Sequence, residues 1–305
     1  MKTKSLLFLI PALALFAACS SDPADETATA TSGVALNLYG VPHSQHTRAS
    51  QLIQNTTFDR GSQVNVYITE DIPQGGSATV PAYPSPLVYI ISNSTSGAMT
   101  PVTATYPYFP KENGVKIKAY YPSTVLQSTQ TFEVQNPQTT DEQYKASDLM
   151  YAYAEADKNN PNVTLQFYHM LSKVNVRLVS GTNSPVLTNS TVTLLNIRRN
   201  ASFTASSGAV SGATGQVENI LMTKNGANAC ACIVPPQTLS GYIFQIVLPS
   251  GDNINYNMPG GIILESGKVY SFTITVNQHS ISVSYSVEPW DQEETGWPVT
   301  DRPTF

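Results

Sequence analysis

Residues 267–290 read GKVYSFTITVNQHSISVSYSVEPW. Between Ile281 and Val287 the apolar residues Ile281, Val283, Tyr285 and Val287 alternate with Ser282, Ser284 and Ser286, while Val269 to Val276 carries a similar period. A period of two is the side-chain repeat of a strand with one covered face, and no helix tolerates it. The polar linker Asn277-Gln278-His279 turns one run back on the other. The pair therefore predicts a β-hairpin.

Working outward, the same period recurs along the chain. It appears in Val34-Leu36-Leu38, Val64-Val66-Ile68, Leu87-Tyr89-Ile91, Val115-Ile117-Ala119, Val163-Leu165-Phe167, Val174-Val176-Leu178, Val192-Leu194 and Ile246-Leu248. Turn signals separate these runs, among them Gln74-Gly75-Gly76, Asn113-Gly114, Ser207-Gly208, Ser250-Gly251 and Pro259-Gly260-Gly261. One stretch differs: Asp141 to Lys158 is rich in Ala, Leu, Met and Glu and could support a helix, with Asp148 to Ala152 ambiguous. Many short strands without alternating helices predict an all-β chain of antiparallel strands, and 305 residues fit two tandem β-sandwich domains. The expected division is 33–160 and 161–290, followed by a tail at 291–305. Charged residues make up only 12% of the chain and the net charge is −5, which disfavours a nucleic-acid partner, since phosphate binding needs clustered Lys and Arg.

The amino terminus reads as an address. Lys2 and Lys4 precede an apolar stretch from Leu6 to Phe16, and Ala17-Ala18-Cys19 follows. This is a secretory signal over residues 1–18, and a Cys after two small residues resembles the lipobox of bacterial lipoproteins, with Cys19 as the acylated residue. Two or three acyl chains such as palmitate hold a domain on an outer membrane, because each buried methylene contributes about 0.8 kcal/mol. Residues 19–32 lack large apolar side chains and read as a flexible tether.

Catalytic chemistry finds little support. His43, His46, His169 and His279 are scattered, and no nucleophile elbow, phosphate loop, metalloprotease helix or dinucleotide fingerprint is present. His169, in the run FYHML, is expected in a packing or hydrogen-bonding role. Cys230 and Cys232 share one face of a strand about 6.5–7 Å apart, at or beyond the reach of a disulfide, and are expected as buried free thiols. The reading is non-enzymatic, with no metal and no cofactor.

Several motifs in order resemble the fimbrillin (Mfa-like) family of lipoprotein-derived fimbrial subunits from anaerobic Gram-negative bacteria. They are Thr47-Arg48-Ala49 ahead of Phe58-Asp59-Arg60-Gly61, VKIKAYYP at 115–122, DLMYA at 148–152, FYHMLSKVNV at 167–176, IVPPQTL at 233–239, and the terminal ISVSYSVEPW at 281–290. The resemblance implies two transthyretin-like β-sandwiches, export as a lipoprotein, and assembly with other fimbrial subunits after an Arg-specific protease cuts between Arg48 and Ala49. Arg48 is otherwise an exposed loop residue.

If the cut occurs, the strand carrying Val34, Leu36 and Leu38 is detachable, and its loss opens an apolar groove that another chain's strand can fill. If not, it is a permanent first strand. Ile281, Val283, Tyr285 and Val287 form the candidate donor strand, or else simply close the second domain. The function expected is a shaft, tip or accessory subunit at the cell surface, in the fimbrium. The rivals are a monomeric surface lipoprotein that binds glycans through exposed aromatics, and an anchor subunit that keeps its lipid.

Overall fold

The structure, a computed structural model, describes residues 31–43, 57–125, 128–205 and 207–290. Residues 1–18, where a secretory signal is expected, Cys19, Arg48, Ala49 and the tail 291–305 lie outside the described residues. The elements run in the order β1 (Thr31–Ala35), β2 (Asn37–Pro42), β3 (Gln63–Asp71), β4 (Leu87–Ile91), β5 (Met99–Pro101), β6 (Tyr108–Pro110), β7 (Gly114–Tyr121), β8 (Thr129–Glu133), α1 (Asp141–Ala146), β9 (Met150–Ala156) and β10 (Asn162–His169). They continue with β11 (Ser172–Ser180), β12 (Thr191–Thr204), β13 (Ala209–Leu221), β14 (Thr223–Lys224), β15 (Ala229–Val234), β16 (Gln237–Val247), β17 (Asn253–Leu264), β18 (Lys268–Val276) and β19 (Ile281–Pro289).

The chain is all-β, as its periodicity predicts. A seven-stranded sheet has the order β2-β10-β9-β7-β3-β4-β5, with β1 and β6 paired beside it. Two five-stranded sheets, β14-β15-β11-β18-β19 and β13-β12-β16-β17, follow. These two face each other: Phe244 of β16 meets Phe272 of β18 edge-on at 4.9 Å between ring centroids. Most ladders are antiparallel, but β2 runs parallel to β10 and β11 runs parallel to β18.

Alternation gives the seven-stranded sheet two different faces. Val66, Ile68, Ile117, Ala119, Met150 and Ala152 bury one face in a first apolar core. Their neighbours Tyr67, Tyr120 and Tyr151 point the other way, into the larger core of the two five-stranded sheets. Tyr120 stands 5.6 Å from the ring of Tyr67, 5.5 Å from Tyr151 and 5.7 Å from Phe203 of β12. Its hydroxyl donates to the Ala205 carbonyl. A period-two pattern that is apolar on one face and aromatic on the other thus gives the sheet a core on each side.

Three features depart from expectation. The division at 160/161 falls between β9 and β10, which are neighbours in one sheet, while β8 pairs with β12 of the five-stranded sheets. A linear boundary fails because the chain crosses between the two cores more than once. The helix covers only Asp141–Ala146, with Thr140 and Gln143 forming a capping box. It stops there because Met150–Ala156 pairs with β7 through seven residue pairs, which outweighs the helical propensity of its Ala and Glu. The turn expected at Pro259-Gly260-Gly261 lies inside β17, where Gly260 and Gly261 take φ of 79° and 71° opposite an irregularity in β16 near Gly241. The glycines make a bulge, not a chain reversal.

Candidate functional site

The leading segment changes sheets at Leu36. Before it, β1 pairs with β6; after it, β2 lies along β10. At the joint, the Leu36 N–H donates to the Pro107 carbonyl at 2.8 Å. Leu36 and Leu38 are 1% exposed, Gly40 and Pro42 are buried on the same face, and Val34 is half-buried against the first core. The two leucines alone contribute very roughly 3–6 kcal/mol of gross apolar burial.

The ladder explains the orientation. Six pairs run from Asn162–Asn37 to Phe167–Pro42, extended by the Asn37 N–H to Pro161 at 2.9 Å and the His43 N–H to Phe167 at 2.8 Å. By contrast, the register between β10 and β9 holds only Tyr168–Tyr151 and His169–Met150. Residues 162–167 therefore depend on β2 for their strand pairing. The other edge of β2 meets the turn before β5: Tyr39 bridges Ala98, and the Gly40 N–H donates to Gly97 at 2.8 Å. The seven-stranded sheet thus curls until its far end touches its first strand.

Arg48 and Ala49 lie outside the described residues, but both flanks of their segment are placed. On one side, the His43 ring sits 4.8 Å from that of Tyr168. On the other, Phe58 is buried edge-on to Phe167 at 5.1 Å, and Asp59 pairs with Lys145 of α1. Both flanks converge on the end of β10.

The closing strand behaves differently. β19 pairs with β18 over nine residues, Lys268–Pro289 to Val276–Ile281, and forms the edge of its sheet. Ile281 and Val283 are partly buried, while Tyr285 and Val287 remain 49% and 44% exposed. Its end is nevertheless anchored. Trp290 is buried, its backbone N–H donates to the Gly267 carbonyl at 2.7 Å, and its ring stacks on His169 with centroids 4.0 Å apart and planes 3° from parallel. His169 Nδ1 lies 2.8 Å from the Asp148 carboxylate, and Lys173 Nζ sits 5.3 Å from the indole centroid. Burial pushes the Lys173 ammonium down to about 8, partly offset by the Asp148 charge. His169 has the packing and hydrogen-bonding role its sequence context suggests.

Cys230 and Cys232 are buried free thiols on β15, and burial pushes both above the usual thiol range, which makes them poor nucleophiles and metal ligands. Among the described residues no three His, Cys, Asp or Glu side chains gather as a metal site, and no helix is long and apolar enough to cross a membrane. An apolar cavity of about 490 Å³ opens beside β6, lined by Tyr83, Tyr106, Tyr108 and several prolines.

Sequence reasoning missed Gly40 and the Trp290–His169 stack. The glycine was visible: a Gly inside the alternating run VALNLYGV marks close backbone approach. The stack had no local signal, because 121 positions separate its partners.

By fold, then, this is an all-β sandwich protein with one fully seated edge strand and one half-covered edge strand. The chain belongs to the fimbrillin-like family, whose model matches residues 47–290; its members are structural fimbrial and adhesion proteins. A candidate cell adhesion protein from Bacteroides uniformis shares the fold with a TM-score of 0.65 at 22% identity, over 84% of this chain and 97% of that one. A second from Bacteroides ovatus has a TM-score of 0.67 at 19% identity, over 85% of this chain and 99% of that one. No curated protein sequence matches.

Proposed function

We propose that this chain is a fimbrial subunit, exported as a lipoprotein through Cys19 and assembled by strand exchange after an Arg-specific protease cuts behind Arg48. The seating of residues 34–42 carries the reading. Leu36 and Leu38 fill an apolar slot, and β2 supplies the strand pairing of residues 162–167, so its departure leaves an apolar groove beside an unpaired backbone row. A second extended strand restores both. The family match begins at Thr47, next to Arg48 and past the seated strand, in keeping with a segment that the working subunit discards.

The half-covered β19 supports its candidacy as the donor toward a neighbour, with Ile281, Val283, Tyr285 and Val287 as the inserted face. Trp290 would have to leave its pocket for that strand to swing free. A subunit that keeps Trp290 seated accepts a strand without giving one, which suits a tip or accessory position. The output is adhesion at the cell surface.

Mass spectrometry of surface fimbriae tests this reading. Subunits beginning at Ala49 support it; subunits bearing only acylated Cys19 would reject processing and favour the lipid-retaining anchor.

The cavity beside β6 favours one other reading, a surface protein that binds glycans through Tyr83, Tyr106 and Tyr108. Tyr108 is 45% exposed and is the residue to change. Retardation in polysaccharide gels that Tyr108→Ala abolishes would support glycan binding.

A further inference from the structure

The groove has a shape that selects its occupant. On the inward face of the leading strand, Leu36 and Leu38 are followed by Gly40 and then Pro42, all buried. A Cβ placed on Gly40 would lie 3.0 Å from Met99 Sδ, 3.2 Å from Phe167 Cε2 and 3.4 Å from Ile91 Cδ1. The third inward position is therefore a shallow notch floored by core side chains. The backbone is tight there as well: a Cβ on Gly97 would stand 2.5 Å from the Gly40 carbonyl oxygen. Two large sites, a notch and a parallel partner in β10 define a template of apolar, any, apolar, any, glycine, running in the direction of β10.

We infer that the groove accepts a strand of a different polypeptide bearing glycine at this notch, and rejects the closing strand of a second copy of this chain. This inference rests on the strand-exchange reading above. Consider β19 laid parallel to β10 with its apolar face inward. Placing Ile281 and Val283 on the leucine sites puts Tyr285 in the notch, and the next two registers put Val287 or Pro289 there. Its opposite face offers only serines and Glu288 to apolar sites. The tail does no better, since Trp297 and Val299 on the leucine sites bring Asp301 to the notch. Packed cores resist extra volume, so each of these registers forces Met99, Phe167 or the backbone to move. Specificity comes from the position that has no side chain.

The test starts from the folded full chain, cut after Arg48 by an Arg-specific protease and then separated from residues 1–48. Three labelled synthetic peptides are offered: residues 33–43, the same peptide with Gly40→Val, and residues 280–290. Capture is read by fluorescence anisotropy. The native peptide should bind, and the other two should bind at least about tenfold more weakly. Equal capture of the valine peptide or of 280–290 would overturn the notch while leaving strand exchange standing. Failure of all three, the native peptide included, would sink strand exchange itself and the inference with it.

Discussion

The two ends of the described chain carry similar sequence patterns and meet opposite fates. Val34, Leu36 and Leu38 alternate at the front, and Ile281, Val283, Tyr285 and Val287 at the back. The front strand is held on both edges, by β10 and by the turn at Gly97, with its leucines 1% exposed. The back strand is held along one edge, and half of its apolar face stays open. Alternation tells which residues share a face, but coverage depends on a second layer, which spans the whole front strand and reaches only the Ile281 and Val283 end of the back strand. An exposed apolar edge strand is a liability unless another chain covers it, and under the proposed strand exchange this difference separates the strand to be replaced from the strand to be covered.

The largest expected effect falls on the front. In the full chain, Leu36→Asp with Leu38→Asp should cost more than about 4 kcal/mol in denaturant unfolding, because two carboxylates would enter a dry slot. The matching change at the back, Val287→Asp, should cost far less, and equal losses would break the contrast. Next, Trp290→Ala should cost about 3–5 kcal/mol and speed amide exchange along residues 281–289, if the indole is what retains the back strand. Unchanged exchange there would show that the ladder to β18 suffices.

Gly40→Val should cost about 1–3 kcal/mol through overpacking of the notch. The Trp290 anchor also has a pH signature. Lys173 falls from 10.5 to about 8 on folding, so the unfolded chain binds more protons between those values. Stability should rise with pH across that window, by about 3 kcal/mol, and be lost as pH falls back through about 8. Lys173→Met should remove the rise, as followed by urea melts at several pH values. The smallest effect belongs to the open face: Tyr285→Ser and Val287→Ser should each stay within about 0.5 kcal/mol in the isolated chain. A larger loss would mean that this face is covered after all.

Much of the strand content was legible because side-chain alternation is a local property. The runs at Val64-Val66-Ile68, Val115-Ile117-Ala119 and Val174-Val176-Leu178 all became strands with those residues buried. Sheet membership was not legible. Nothing within Asn162–His169 says that it pairs with residues more than a hundred positions earlier, and a boundary drawn at 160/161 splits the sheet that β10 completes. The helix was overextended because Ala, Met and Glu fit either state, and the partner that decides, β7, lies some 35 residues away. At the candidate site the buried leucines were readable from period alone. The notch at Gly40 was readable only as a signal of close approach, and its floor of Met99, Phe167 and Ile91 comes from three separate strands.

Amide hydrogen exchange across residues 162–167 most directly tests whether the leading strand is a replaceable part. Those amides should be protected in the full chain, exchange at least about tenfold faster once the chain is cut after Arg48 and residues 1–48 are removed, and regain protection in assembled fibres that lack residues 34–42. Protection that stays the same through all three states would contradict the account, since β10 would then need neither its own leading strand nor a neighbour's.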